Sequence, residues 1–218
     1  VSLVIGLFSA IISVVLGCLI GSVAGFRGGR FDDVVMRVTD LFLAFPFLVT
    51  LLVMRNVLGA IDWLRPVIGD ISSVRFIIVL FAVFGWMGVA RIVRGQVLAL
   101  KEREFIEAAR AVGASRWYIV RRHLLPNSIG PIMVALTFSV VSAIISESTL
   151  AFFGYGPQAG EGATSLGILV GAAKGAVNTG FWWLAVFPCL TLVMIALSIN
   201  FIGDALRDAT DPRMQKES

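Results

Sequence analysis

The sequence predicts an all-α fold, a polytopic bundle of membrane-spanning helices, and three observations predict it. Hydrophobic residues fill 58% of the 218 positions and charged residues only 15%, against about 25% charged in soluble domains. The mean hydropathy is +0.92, and the apolar runs are longer and cleaner than a soluble core requires. Lys and Arg gather in alternate connections between those runs, the pattern of a multi-pass chain.

Five spans follow in order. The first runs roughly from Val1 to Phe26 and is free of charge. The second, from Leu41 to about Leu58, is shortened by Arg55. The third covers about Phe76 to Ala90, ending where Arg91 begins a basic stretch. The fourth covers about Ile129 to Phe153, and the fifth Phe181 to Ile202. A bilayer needs about 20 helical residues, so the second and third are at the short end.

Basic residues set the orientation. If the connection 91–127 is cytoplasmic, so are 27–40 and the end of the chain, and 14 of the 18 Lys and Arg lie inside. Arg55, Arg65, Arg75 and Lys174 remain outside. This gives a membrane domain over 1–203 and a cytoplasmic tail over 204–218. Val1 then lies outside, within an apolar run and with no initiator Met, so one more span is expected upstream, for six in all. Cys18 and Cys189 both sit in apolar runs and read as small membrane residues, not as a disulfide. One histidine and no cysteine cluster argue against a zinc site.

The spans carry further signals. Gly17, Gly21 and Gly25 recur every four residues, a spacing that lets another helix approach closely; the contact is either within this chain or with another subunit. Pro46 and Pro188 interrupt the second and fifth spans and each removes a backbone donor. The outer loop 154–180 holds an apolar stretch, SLGILVGAAKGAV, too short to span. It either dips into the mouth of a pathway or caps the bundle.

The segment EAARAVGASRWYIVRRHLLPN, from Glu107 to Asn127, is dense in charge between two apolar runs. Residues from about Glu102 to Val112 favour helix, with Phe105, Ala109 and Val112 as one narrow apolar stripe. Glu107 stands four after Arg103 and three before Arg110, in reach of local ion pairs. Gly113 fits a left-handed helix stop. Ser115 caps a second helix from Arg116 to about Leu124, which Leu125–Pro126 breaks. The result is helix, sharp turn, helix beneath the membrane. Such a segment either lies on lipid headgroups or forms a knob for a partner protein. Gly113 breaks the apolar face that a lipid surface wants, and Glu107 would be repelled by anionic lipid, so the partner reading is favoured.

The spacing Glu-Ala-Ala, three residues, Gly, then Leu-Pro twelve and thirteen positions later resembles the EAA loop of ABC importer permeases. The matching residues are Glu107, Ala108, Ala109, Gly113, Leu125 and Pro126. His123 stands where the general pattern has Ile, and RHLLPN is similar to the dipeptide/oligopeptide branch. AGFRGGRFDDVVMRVTD, ARIVRGQVLALKEREFIEAARAVGAS, ESTLAFFGYG and LSINFIGDALRDATDPR agree with that branch, so the resemblance covers nearly the whole chain. PQAGEGATSLG departs from the Pro/Trp-rich continuation common in the family.

The resemblance implies a type I ABC importer permease core in a bacterial inner membrane. This chain would be one of two homologous permease subunits, served by an extracytoplasmic solute-binding protein that delivers a peptide. Two cytoplasmic ATPase subunits would bind ATP and magnesium, and this chain would bind no cofactor or metal. Glu107, Ala108, Ala109, Gly113, Ala114, Ser115, Leu125 and Pro126 would couple to an ATPase subunit. The chain has no GxxxxGK[ST] phosphate loop, which agrees. Nickel complexes or another small solute are the alternative cargo. An ion-coupled secondary transporter is a distant alternative, which would need intramembrane acids and often a repeated half. Nothing points to nucleic acid.

Single residues complete the reading. Glu147 stands 18 residues after Ile129, roughly 27 Å along a helix, near the outer face. Such an acid either lines a pathway, where it meets a substrate ammonium, or caps a neighbouring helix. His123 reads as a helix-end or interface residue. Asp204, Arg207, Asp208, Asp211 and Arg213 form a mixed-charge helix end. Arg27, Arg30, Asp32 and Asp33 form a cytoplasmic elbow. Trp182–Trp183 marks a membrane interface.

Overall fold

The structure, a computed structural model, describes residues 1–158 and 164–210. Among these every regular element is helical. Four helices are long and apolar enough to cross a membrane, or five with one sharply bent pair counted as a span.

Helix α1 (Ser2–Arg27) is 26 residues long, about 39 Å, enough for a hydrocarbon core of about 30 Å. Gly28 and Gly29 then take φ of 66° and 62°, which only glycine adopts readily, and the chain turns into α2 (Gly29–Leu43). Helix α3 (Phe47–Gly59) follows after a bend of 98°. This corrects the second predicted span. Pro46 cannot donate a backbone bond and biases Phe45 away from helix, so Leu41–Leu58 is not one rod. Its apolar part, α3, has 13 residues, about 20 Å.

A 3₁₀ turn at Asp62–Leu64 and the short α4 (Arg65–Ile68) lead to α5 (Val74–Leu100). Helix α5 runs ten residues past the predicted end of the third span, straight through Arg91 and Arg94. The charges do not end the helix because α2 supplies their partners. Arg94 donates to both carboxylate oxygens of Asp32, at 2.5 and 2.7 Å, and Arg91 pairs with Asp40. The elbow acids thus clamp α2 to the C-terminal half of α5.

After the short helices α6 (Glu104–Ala111), α7 (Arg116–Ile119) and α8 (Leu125–Asn127) comes α9 (Ile129–Phe152), close to the predicted fourth span. Helix α10 (Leu166–Asn178) packs on α9 and α11. Gly167 lies against Ser148 and Ala151, and Lys174 donates to the Phe152 carbonyl over the Phe152 ring. Within the stretch SLGILVGAAKGAV, α10 thus packs across the C-terminal end of α9. Helix α11 (Trp183–Thr210) is unbroken at Pro188, contrary to expectation. Pro188 falls just after the first turn, where the helix loses a single backbone bond. Asp204, Arg207 and Asp208 ride on its last turns, while Asp211, Arg213 and part of PQAGEGATSLG (159–163) lie outside the described residues.

The bundle is built around α1. Gly17, Gly21 and Gly25 face Val89, Ala90, Arg94 and Val97 of α5, which settles the glycine repeat as packing within this chain. A Cβ on Gly17 would sit 2.6 Å from that of Val89, below any real contact. On another face of α1, Ala10 packs on Val140 and Ile144 of α9. Leu51, Phe76, Ile77 and Leu80 fill one half of the core, and Val93, Val97, Ile106, Ile119 and Leu124 fill the half next to α6 and α7. The outer face of α11 is left unpacked by this chain.

Candidate functional site: the charged helix pair

Helix α6 begins after Arg103, in extended conformation, with Glu104 and Glu107 in its first turn. Acids there complement the positive end of the helix. It stops in a Schellman motif. Gly113 has φ of 80°, its amide bonds the Arg110 carbonyl and the Ala114 amide bonds the Ala109 carbonyl, both at 3.0 Å. Ala109 and Ala114 then meet as the accompanying apolar contact. Ser115 starts α7 as predicted, its hydroxyl accepting from the Tyr118 amide at 3.2 Å.

The second helix does not break at Leu125–Pro126. It widens into a π turn over Val120–Leu124, where the Leu125 amide bonds the Val120 carbonyl, and then resumes as α8. An ordinary α turn would drive the Pro126 ring into the carbonyl of Arg122 and leave it without a donor. The wider turn absorbs both faults. From Ser115 the chain is therefore almost continuous helix into α9.

Ile106, not the predicted Phe105–Ala109–Val112 stripe, anchors α6. Ile106 is 0% exposed and packs with Ile119, Val120 and Leu124, and with Val93 and Val97 of α5. Ala109 joins this face, but Phe105 and Val112 point outward, Val112 being 84% exposed. Which of two apolar stripes turns inward is decided by α5 and α9, not by α6 itself. Glu107 enters no ion pair among the described residues. Arg110, its expected partner, lies over the Phe26 ring at 5.4 Å instead.

Glu107, Ala108, Gly113, Ser115 and Pro126 are thus surface residues, and Ala109, Ala114 and Leu125 are half-buried behind them. Phe105, Val112, Trp117 and Tyr118 add exposed apolar area. The His123 ring lies 6.3 Å from that of Phe105 and 5.8 Å from that of Tyr118, tying the two helices together. An interface role was legible for His123; its aromatic partners were not.

Next to the pair lies a cavity of about 890 Å³ between α1, α3, α5, α9 and α11, with a mostly apolar wall that includes Phe47, Phe81, Val134 and Phe138 and, among polar groups, Ser9, Ser13, Ser139, Ser142, Asn127 and Arg207. Sequence reasoning missed it. The available signal was serines at helical spacing inside apolar runs. Glu147 is not among its lining residues. It is 0% exposed between helices and accepts from the Ser2 hydroxyl at 2.8 Å, which in turn accepts from the Leu166 amide at 3.1 Å. That places it, through Ser2, at the start of α10. Trp182 and Trp183 are exposed and stack edge-on. Among the described residues no three His, Cys, Asp or Glu gather into a possible metal site.

The chain is 36% identical to the dipeptide transport system permease protein DppC of Bacillus subtilis (strain 168), over 99% of this chain and 63% of that protein. It is 36% identical to the oligopeptide transport system permease protein OppC of Haemophilus influenzae, over 98% of this chain and 64% of that protein. It therefore spans somewhat less than two thirds of the length of these relatives. Its fold matches a chain of the MetNI methionine ABC transporter in an inward-facing conformation, with TM-score 0.74, 23% identity and coverage of 96% of this chain and 93% of that one. Residues 17–216 match the family described as binding-protein-dependent transport system inner membrane component. To that family of ABC importer permeases this chain belongs.

Proposed function

We propose that this chain is a membrane-spanning permease subunit of an ATP-driven, binding-protein-dependent importer of peptides in a bacterial cytoplasmic membrane. It forms half of the translocation pathway together with a second, homologous permease subunit. An extracytoplasmic binding protein delivers the peptide. Two cytoplasmic ATPase subunits hold ATP and magnesium, and one of them receives the helix pair. The peptide assignment rests on the names of the relatives, DppC and OppC.

One observation carries the coupling role. The helix pair has its inner face locked into the base of α1, α5 and α9 through Ile106, Ile119 and Leu124, while Glu107, Ala108 and Val112 stand outward. A push on that outer face would pass into α5 and α9 through the packed inner face, a route for rigid-body motion of the spans. The cavity beside α1, α5 and α9, mostly apolar with four serines in its wall, supports a share in the pathway.

The test is purification of the full-length protein from its native membrane in mild detergent. Two ATPase subunits and a second permease are expected with it, and are expected to be lost from a Glu107→Lys, Gly113→Val variant. Recovery alone, unaffected by those changes, would overturn the assignment. Uptake by the reconstituted complex of a nickel chelate but not of di- or oligopeptides would replace the cargo and leave the coupling role standing.

A further inference from the structure

A second concavity, of about 470 Å³, lies at the cytoplasmic end of α1, behind the helix pair. Its lining is Phe26, Arg27, Arg110, Ala114, Arg116 and Ile119. Three arginines from three separate elements meet there, and no acid is among the lining residues. None of the three enters an ion pair among the described residues. We propose that Arg27, Arg110 and Arg116 form a site for the phosphate of an anionic phospholipid, bound at the root of the coupling helices.

The arginines are prepared for an oxyanion. The Arg110 guanidinium carbon lies 5.4 Å from the centre of the Phe26 ring, and that of Arg27 lies 5.3 Å from the centre of the Phe31 ring. A guanidinium steadied by a ring rather than by a carboxylate keeps its N–H donors for a phosphate oxygen, and bidentate donors suit phosphate geometry. Arg110 stands four residues after Ile106 and so shares the face of α6 that turns toward the bundle. It does not belong to the outward surface of Glu107, Ala108 and Val112. The volume falls in the range of about 300–1,000 Å³ usual for small-molecule sites.

The lipid, rather than a soluble phosphate, is indicated by what lies next to Arg27. Leu19, Val23 and Arg27 follow at four-residue steps along one ridge of α1. Leu19 and Val23 are exposed, at 41% and 36%, and α1 is a span. An apolar ridge that ends in an arginine at the membrane surface matches an acyl chain ending in a phosphate. Each such arginine adds about 1 kcal/mol of attraction to anionic lipid, or about fivefold in affinity. The site does not depend on an ATPase partner, so it goes beyond the importer reading.

The experiment measures lipid retained on the full-length complex, by native mass spectrometry after exchange into lipid of defined composition. Phosphatidylglycerol is expected to stay bound where phosphatidylcholine with the same chains does not. Arg27→Gln alone should weaken retention about fivefold, and Arg27→Gln with Arg110→Gln and Arg116→Gln by far more. Arg116→Lys should retain most of it. Should the triple variant fail to assemble, the three single variants carry the test, since all three side chains are exposed. Phosphatidylglycerol held equally by wild type and variants would overturn the site. Displacement by millimolar inorganic phosphate, with no contribution from the chains, would overturn the lipid assignment in favour of a free phosphate. Unchanged lipid with loss of the ATPase subunits would show that the arginines serve an acidic protein surface instead.

Discussion

The amide of Ala114 donates to the carbonyl of Ala109 at 3.0 Å, across Gly113. This bond closes α6 and sets the turn between α6 and α7. Gly113 has φ of 80°, and a Cβ placed on it would meet nothing within 4 Å. Its replacement is therefore penalised through the backbone alone, by about 1–2 kcal/mol for an ordinary residue. We expect Gly113→Val to insert and assemble its spans normally, but to hydrolyse ATP in the complex without uptake. Gly113→Asn, which tolerates the left-handed region better, should keep much of the uptake. Normal uptake by Gly113→Val would remove the coupling role.

Ile106 and Val112 lie on opposite sides of the same short segment, one buried and one 84% exposed. Ile106→Ala should cost about 2–5 kcal/mol, read as a lower thermal midpoint of the purified protein. Val112→Ala should leave that midpoint within about 0.5 kcal/mol. It should instead weaken recovery of the ATPase subunits, because its side chain has no partner in this chain to lose. A Val112→Ala effect on stability as large as that of Ile106→Ala would mean the faces are assigned backwards.

Gly21 packs against the backbone of Ala90, so any side chain there must force α1 and α5 apart. Gly21→Val should abolish a monodisperse protein on size exclusion. Gly95 is the control, a glycine on α5 whose added Cβ would meet nothing within 4 Å. Gly95→Ala should be neutral or stabilise by up to about 1 kcal/mol. Equal tolerance at both positions would contradict the close α1–α5 approach.

Asp32 and Arg94 join α2 to α5 through two hydrogen bonds, with the Asp32 side chain 8% exposed and that of Arg94 29%. Removing one partner strands the other. Asp32→Ala should destabilise by about 2–4 kcal/mol, somewhat under the figure for a fully buried pair. Asp32→Leu combined with Arg94→Met should recover most of that loss. The coupling measured in such a double-mutant cycle should approach zero if α2 swings free of α5 in the membrane.

These contrasts mark where the sequence was readable. Gly113 and Ser115 were legible because a helix stop and a helix cap are local: the residue's own conformation and one bond two or three residues away decide them. The length of α5 was not, because Arg91 and Arg94 look like the start of a loop until Asp40 and Asp32, more than fifty residues earlier, are placed beside them. Phe105 and Ile106 are equally apolar, and only the position of Val93, Val97 and Leu124 decides which turns inward. The π turn needed Pro126 to be continued through rather than stopped at, a choice made by the packing of Leu124 and the buried Ser128, whose hydroxyl bonds the Leu124 carbonyl at 2.8 Å. The cavity is a space between helices; the serines on α1 and α9 mark two of its walls in the sequence, but only the packing of the helices shows that they face one space.

Glu147 separates two roles that its position in the sequence left open. Its carboxylate accepts from Ser2 in the packed region between helices, and its other oxygen, Oε1, has no hydrogen-bond partner among the described residues. Ser2 links it to the first amide of α10, so a role in positioning α10 depends on an acceptor, not on charge. Glu147→Gln keeps an acceptor oxygen for Ser2 and should leave uptake unchanged across pH. Glu147→Leu removes the acceptor, strands the Ser2 hydroxyl and should cost about 1–3 kcal/mol. If Glu147 instead meets the ammonium of a passing peptide, Glu147→Gln would lower uptake of peptides with a free amino terminus and spare those with a blocked one. Uptake of both peptides by the Gln variant, measured side by side, decides between the two.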